Sequence, residues 1–166
     1  MTKAAWRDEQ KEMKEPTLPT QSSQLVSPLR KFDPTGMVRI PDCQSILEVL
    51  RLIRQGGPQW GLRDVTLWFP APADAWVLVY PLWETNAPYF DFMYTREEPP
   101  EKALASLLEQ YPQCSIIDWS PGRLVCIEVL DENIETLADI IQGAVEAAWE
   151  ERITIIEATY EQASRA

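Results

Sequence analysis

The chain is 166 residues long, carries a formal net charge of −11, and is 45% hydrophobic and 10% aromatic. That is room for one domain and an appendage around a single core, and it excludes global disorder. There is no histidine, so Ser-His-Asp and Cys-His catalysis are excluded together with the commonest metal ligand.

The charge is unevenly spread. Residues 1 to 30 hold five Lys or Arg against four acids, and residues 31 to 166 hold ten against twenty-two, with Lys31 and Lys102 the only lysines among them. Such a surface repels phosphate backbones and anionic lipid, so neither nucleic acid nor membrane is expected as a partner. No run approaches the roughly 20 apolar residues of a bilayer span, and the start MTKAAWRDEQKEMKEP lacks the apolar stretch of a secretion signal, so a cytoplasmic protein is expected. Cys43, Cys114 and Cys126 are odd in number and widely spaced. They read as small buried hydrophobes rather than a disulfide framework or a zinc site. No metal and no cofactor are expected.

Residues 1–38 contain Pro16, Pro19, Pro28 and Pro34 among Ser, Thr and Gln without a sustained period, and read as a disordered N-terminal arm. Its one apolar knot is SQLVSPLRKF, Ser23 to Phe32, a docking motif or the lead-in to the domain. Residues 39–166 read as a single α+β domain. PDCQSILEVLRLIRQGG predicts a helix from near Asp42, with Ser45 and Glu48 at capping-box spacing and Gly56-Gly57 as the stop. Ile46, Val49, Leu50 and Ile53 form its apolar stripe, leaving Arg51 and Arg54 towards water.

Three short strands follow: LRDVTLWF, AWVLVYPLW and YFDFMYT, separated by PAPAD and ETNAP, a meander of antiparallel hairpins. REEPPEKALASLLEQYP predicts a second helix starting after Pro99-Pro100. CSIIDWS and RLVCIEVL predict two more strands joined by a tight turn at Pro121-Gly122. From Asp131 the spacing of Ile134, Leu137, Ile141, Val145 and Trp149, continued by Ile153, Ile156 and Tyr160, predicts one long C-terminal helix. RITIIEATY is β-branched enough to be a strand, but no turn residue divides the segment. Gly143, inside the helix, marks a close contact or a bend. The expected fold is therefore α+β, order α-β-β-β-α-β-β-α, with an antiparallel sheet of about five strands.

Alternation sorts the strand residues onto two faces. In WVLVYPLW both sides are apolar: Trp76, Leu78, Tyr80 and Leu82 on one, Val77, Val79, Pro81 and Trp83 on the other. Across the sheet one face is expected to be uniformly apolar and the second mixed, with Trp68, Trp83, Tyr89 and Trp119 among Thr, Asp and Glu. Large aromatics among polar groups are the composition of a protein interface, and these four are the candidate partner-binding residues. The plainer alternative is that the long last helix crosses over and buries them. Asp64, Asp91 and Asp118 lie in predicted strands, where a converging pair would suit acid–base chemistry, but no spacing requires it, and charges at sheet edges and turns are the commoner arrangement. No phosphate-binding glycine loop or Asp-rich calcium loop is present.

The element order, in a small acidic chain ending in a long helix, resembles the class I type III secretion chaperones and the related YbjN-like domains. More narrowly, the Trp-rich, lysine-poor stretches WGLRDVTLWF, WVLVYPLW and IIDWSPGRL look like those of a cyanobacterial carboxysome assembly chaperone, a protein that holds a shell-protein tail before assembly. The resemblance implies a protein that is not an enzyme and that binds an extended, hydrophobic protein segment, partly by β-augmentation. The alternative is a structural or regulatory subunit whose aromatic face is covered in a permanent homodimer or larger complex.

Overall fold

The computed structural model describes residues 36–83, 85–131, 133–155 and 157–162. Residues 1–35 of the predicted arm lie outside the described residues. Its last residue, Val38, is already part of the sheet.

The order is β1 (Val38–Arg39), α1 (Ile46–Gln55), a 3-10 turn (Pro58–Leu62), β2 (Arg63–Trp68), β3 (Trp76–Val79), β4 (Tyr89–Met93), α2 (Pro100–Ala103), α3 (Ala105–Gln110), β5 (Cys114–Ser120), β6 (Leu124–Val129), α4 (Ile134–Trp149) and β7 (Glu157–Gln162). The strands form one seven-stranded sheet, β1-β7-β2-β3-β4-β6-β5, in which every neighbouring pair is antiparallel. The α+β class and the antiparallel sheet agree with expectation; the strand count and the C-terminal element do not.

The local signals explain most of the elements. Ser45 caps α1, its Oγ accepting from Glu48 N at 3.2 Å. Glu48 reaches back to Gln44 N at 2.6 Å, one residue before the reciprocal bond of a capping box. The helix starts at Ile46 rather than near Asp42, because Asp42 sits in a left-handed turn at φ 60°. Arg51 faces out and pairs with Glu135 on α4 at 3.2 Å, whereas Arg54 is half-buried and donates to Thr85 O at 3.0 Å. The second predicted helix is kinked at Leu104, where φ −99° and ψ 8° separate α2 from α3. Pro121-Gly122 makes the expected turn, with Gly122 at φ 66° and Arg123 N donating to Ser120 O at 3.0 Å.

The long C-terminal helix is a correction. It ends at Trp149 because Glu150 takes the left-handed conformation, φ 57° and ψ 30°, and turns the chain out of the helix. The chain then comes back as β7 and inserts between β1 and β2, adding two strands to the expected five. Tyr160, read as an extension of the helical stripe, lies opposite Val65 and Val38 in the sheet. Gly143 is a close contact: a Cβ there would meet Leu107 Cδ1 at 2.9 Å, which lets α3 lie against α4.

The register fixes the faces. Opposed residues share a side, so Ala158, Val65, Leu67, Val77, Val79, Phe90, Phe92, Val125 and Ile127 line one face. All are 0% or 1% exposed. Helix α4 touches α1, α2 and α3, so the helices make one layer. That layer lies on this face: Trp149 of α4 meets Phe69 edge-on at 5.3 Å and donates its indole N–H to Met93 O at 2.7 Å.

Candidate partner-binding face

The other side of the sheet is built from Thr159 on β7, Asp64, Thr66 and Trp68 on β2, Trp76 and Leu78 on β3, Tyr89, Asp91 and Met93 on β4, Leu124, Cys126 and Glu128 on β6, and Ser115 and Asp118 on β5. One ladder row crosses it as Thr159, Thr66, Leu78, Asp91, Cys126 and Asp118. A helix-facing sheet side would not place two carboxylates, a thiol and two hydroxyls in such a row, because each would need a partner in an apolar core. Here Asp91 is bonded by Cys126 of the neighbouring strand and by Tyr80, and Thr159 by Trp68 of the neighbouring strand.

Asp91, 4% exposed, is the centre of that bonding. Tyr80 OH donates to Asp91 Oδ2 at 2.6 Å, and the Cys126 thiol is its second donor. Burial pushes the Asp91 carboxyl above the usual carboxylate range, against the stabilising effect of the two donors, and the charge of Asp118 adds to the rise. Burial, then the Asp91 bond and charge, make the Tyr80 hydroxyl and the Cys126 thiol much weaker acids than usual, with pKa values pushed far above neutrality. Both therefore stay protonated as donors, and Cys126 is not a nucleophilic thiolate.

The aromatic groups are arranged around this polar row. Tyr80 stacks on Tyr89 with ring centroids 4.4 Å apart and planes inclined by 30°. Tyr89 is 40% exposed, and the tyrosine pair is thus half sunk and half open. Trp68 is half-buried, opposite Trp76 and Glu157, and donates its indole N–H to Thr159 Oγ1 at 3.1 Å. Such rings offer rigid contact area with a polar tip, the combination found at interface anchors.

The structure thus brings together two of the four expected aromatics, Trp68 and Tyr89, and separates the others. Trp119 is on the helix side: Ile117 is an extra residue in β5, so Ile116 faces Ile127, Asp118 faces Cys126, and Trp119 faces Val125. Its ring lies edge-on to Tyr94, centroids 6.4 Å apart. Trp83 is beyond the end of β3, half-buried beside Gly61 of the 3-10 turn. Tyr80 and Trp76 join the face, and alternation along WVLVYPLW already grouped them. The alternative of a crossing helix is set aside, since α4 lies on the opposite side.

Asp64, Asp91 and Asp118 do share this face, on β2, β4 and β5. The carboxylate of Asp91 is engaged by two donors. Among the described residues no group of three or more His, Cys, Asp or Glu side chains is placed to hold a metal ion. No described helix is long and apolar enough to cross a membrane. Cys114 and Cys126 are buried and Cys43 half-buried, all as free thiols. An open recess of about 480 Å³ lies beside β1, lined by Arg39, Asp42, Cys43, Ile155 and Glu157.

A second arrangement, on the helix side, escaped the sequence reading. The Arg63 guanidinium lies 4.7 Å from the Trp60 ring centroid and 4.2 Å from that of Tyr160, which themselves meet edge-on at 5.3 Å. This cation–π group ties the 3-10 turn and β2 to β7. Only the pairing of β2 with β7 could have revealed it. Compared with known protein families, curated proteins and solved structures, the chain matches none.

Proposed function

We propose that the protein is a non-enzymatic assembly chaperone of the cytoplasm that holds an extended hydrophobic segment of a partner protein across the sheet face of Trp68, Tyr80 and Tyr89, with the buried Trp76 beneath it. The observation that supports this reading is the tyrosine pair, with Tyr89 40% exposed, beside the buried Asp91 on the face opposite the helix layer. Stacked rings supply apolar area, and hydrogen-bonding groups between them supply selectivity. The acidic surface suits a neutral or basic segment and disfavours nucleic acid. The resemblance to secretion and carboxysome assembly chaperones suggests two partner classes, a secreted protein and a shell-protein tail.

The test is affinity purification of the tagged protein from its host, followed by titration of the captured partner with purified variants. Tyr89→Ala and Trp68→Ala should each weaken binding by about tenfold or more, while Trp83→Ala, off the face, leaves it within about twofold. Equal affinity for all variants, with folding intact, removes the reading. A permanent homodimer is the second reading, and Ile117 favours it, being 50% exposed on the edge strand β5. Sedimentation of a concentration-independent dimer that loses association on Ile117→Asp would establish that reading instead.

A further inference from the structure

The arm preceding the domain has its own complement on the domain. On the aromatic face the strands present Asp118, Glu128 and Glu157, and Arg39, bound to Glu157 at 3.7 Å, is the only cation that the described strands bring to it. The segment PTLPTQSSQLVSPLRKF, residues 16–32, has the opposite character: no acid, two adjacent cations at Arg30 and Lys31, and apolar side chains at Leu25, Val26, Leu29 and Phe32. A chain with twenty-six acids leaves seventeen consecutive residues free of them.

The point of attachment is equally specific. The described chain enters at Gly36 and forms β1 at the edge of the sheet beside β7 and β2. Tyr89 on β4 is four strands from β1, roughly 19 Å at about 4.8 Å per strand. Ser23 lies thirteen residues before Gly36 and Phe32 four, so residues 23–32 reach out to roughly 43 Å when extended. The whole aromatic face is within their range. A short tether confers an effective concentration near 1 mM, so a segment with an affinity of only about 100 µM in isolation is bound in about nine molecules of ten.

We propose that residues 23–32, SQLVSPLRKF, dock across this protein's own aromatic sheet face, with Arg30 and Lys31 over its acids. The docking does not rest on the partner-binding reading above.

The experiment uses the full chain without any client. A photoreactive benzoylphenylalanine is placed at Tyr89, and in a second variant at Glu128, which opposes it on β6, so that a folding defect in one does not remove the test. A third, at the exposed Glu109 on the helix layer, is the control. The expected result is a cross-link from both face positions to residues 23–32 within one chain, with a yield independent of protein concentration, and none from Glu109. Reversing the charges by Arg30→Glu and Lys31→Glu should lower that yield by about threefold or more, as should added salt. Cross-links between chains, to residues 1–22 alone, or absent from both face positions overturn the proposal. If the cross-link is found but Tyr89→Ala leaves client affinity unchanged, the docking stands and the chaperone reading falls.

Discussion

Replacing Tyr80 by Phe removes one hydroxyl and keeps the ring stacked on Tyr89. The lost bond is 2.6 Å long and ends on a carboxylate that is 4% exposed, so water cannot readily replace the donor. A hydrogen bond to a charged acceptor contributes about 1.5–3 kcal/mol, against about 1 for a neutral pair. Tyr80→Phe should therefore cost about 2 kcal/mol at pH 7.5. In the Asp91→Asn background the acceptor is a neutral amide, and the same change should cost about 1 kcal/mol. The cycle then yields a coupling near 1 kcal/mol. Urea unfolding followed by tryptophan fluorescence measures it: with a slope of about 2 kcal/mol/M, Tyr80→Phe shifts the midpoint by about 1 M. A cost under about 0.5 kcal/mol, or an equal cost in both backgrounds, would refute the view that Tyr80 supports a buried charge.

Two further outcomes follow from the same geometry and from the end of α4. An unfolded Asp ionises near 3.9, whereas folded Asp91 holds its proton to higher pH because it is buried. Between those values the native state binds the extra proton, so this group's contribution falls as pH rises through that window and stays reduced above it. Stability curves from acid to neutral pH should show Asp91→Asn gaining on the parent across the window, and parallel curves would contradict the raised ionisation. Glu150→Gly should raise stability by about 0.5–1 kcal/mol, because glycine takes the left-handed conformation without a Cβ penalty. The 3.5 Å contact of Glu150 with Arg96 is solvent-exposed and offsets little of that; a lowered melting temperature would show the turn is not strained.

The elements whose signals are local were legible. Ser45 with Glu48 marked the start of α1 to within a few residues, and Pro121-Gly122 between two β-branched runs marked the β5–β6 hairpin, whose β5 matches residue for residue. What escaped depended on partners distant in sequence or on a backbone choice that side chains do not announce. Glu150 has no feature of a helix stop, and the Ile153 and Tyr160 spacing keeps helical phase across it by coincidence. β7 becomes a strand because β1 and β2 offer it two edges, with Tyr160 between Val38 and Val65. Trp119 was assigned its side by unbroken alternation, and a single extra residue at Ile117 inverts everything after it. The candidate face was half legible for the same reason: Trp68 and Tyr89 lie in regular strand, whereas Trp83 follows the break after Val79.

The insertion of β7 also imposes an order of opening on the molecule. β1 has one neighbour, β7, to which it is held by the Val38 and Arg39 pairings and by Ile40 N donating to Ala158 O at 2.8 Å. Any fluctuation that lifts β7 from β2 releases β1 with it, while β1 can fray alone and leave β7 in place. The first strand therefore stays in the sheet only while the last one does, and the entry of the chain into the fold is latched by a segment from its far end.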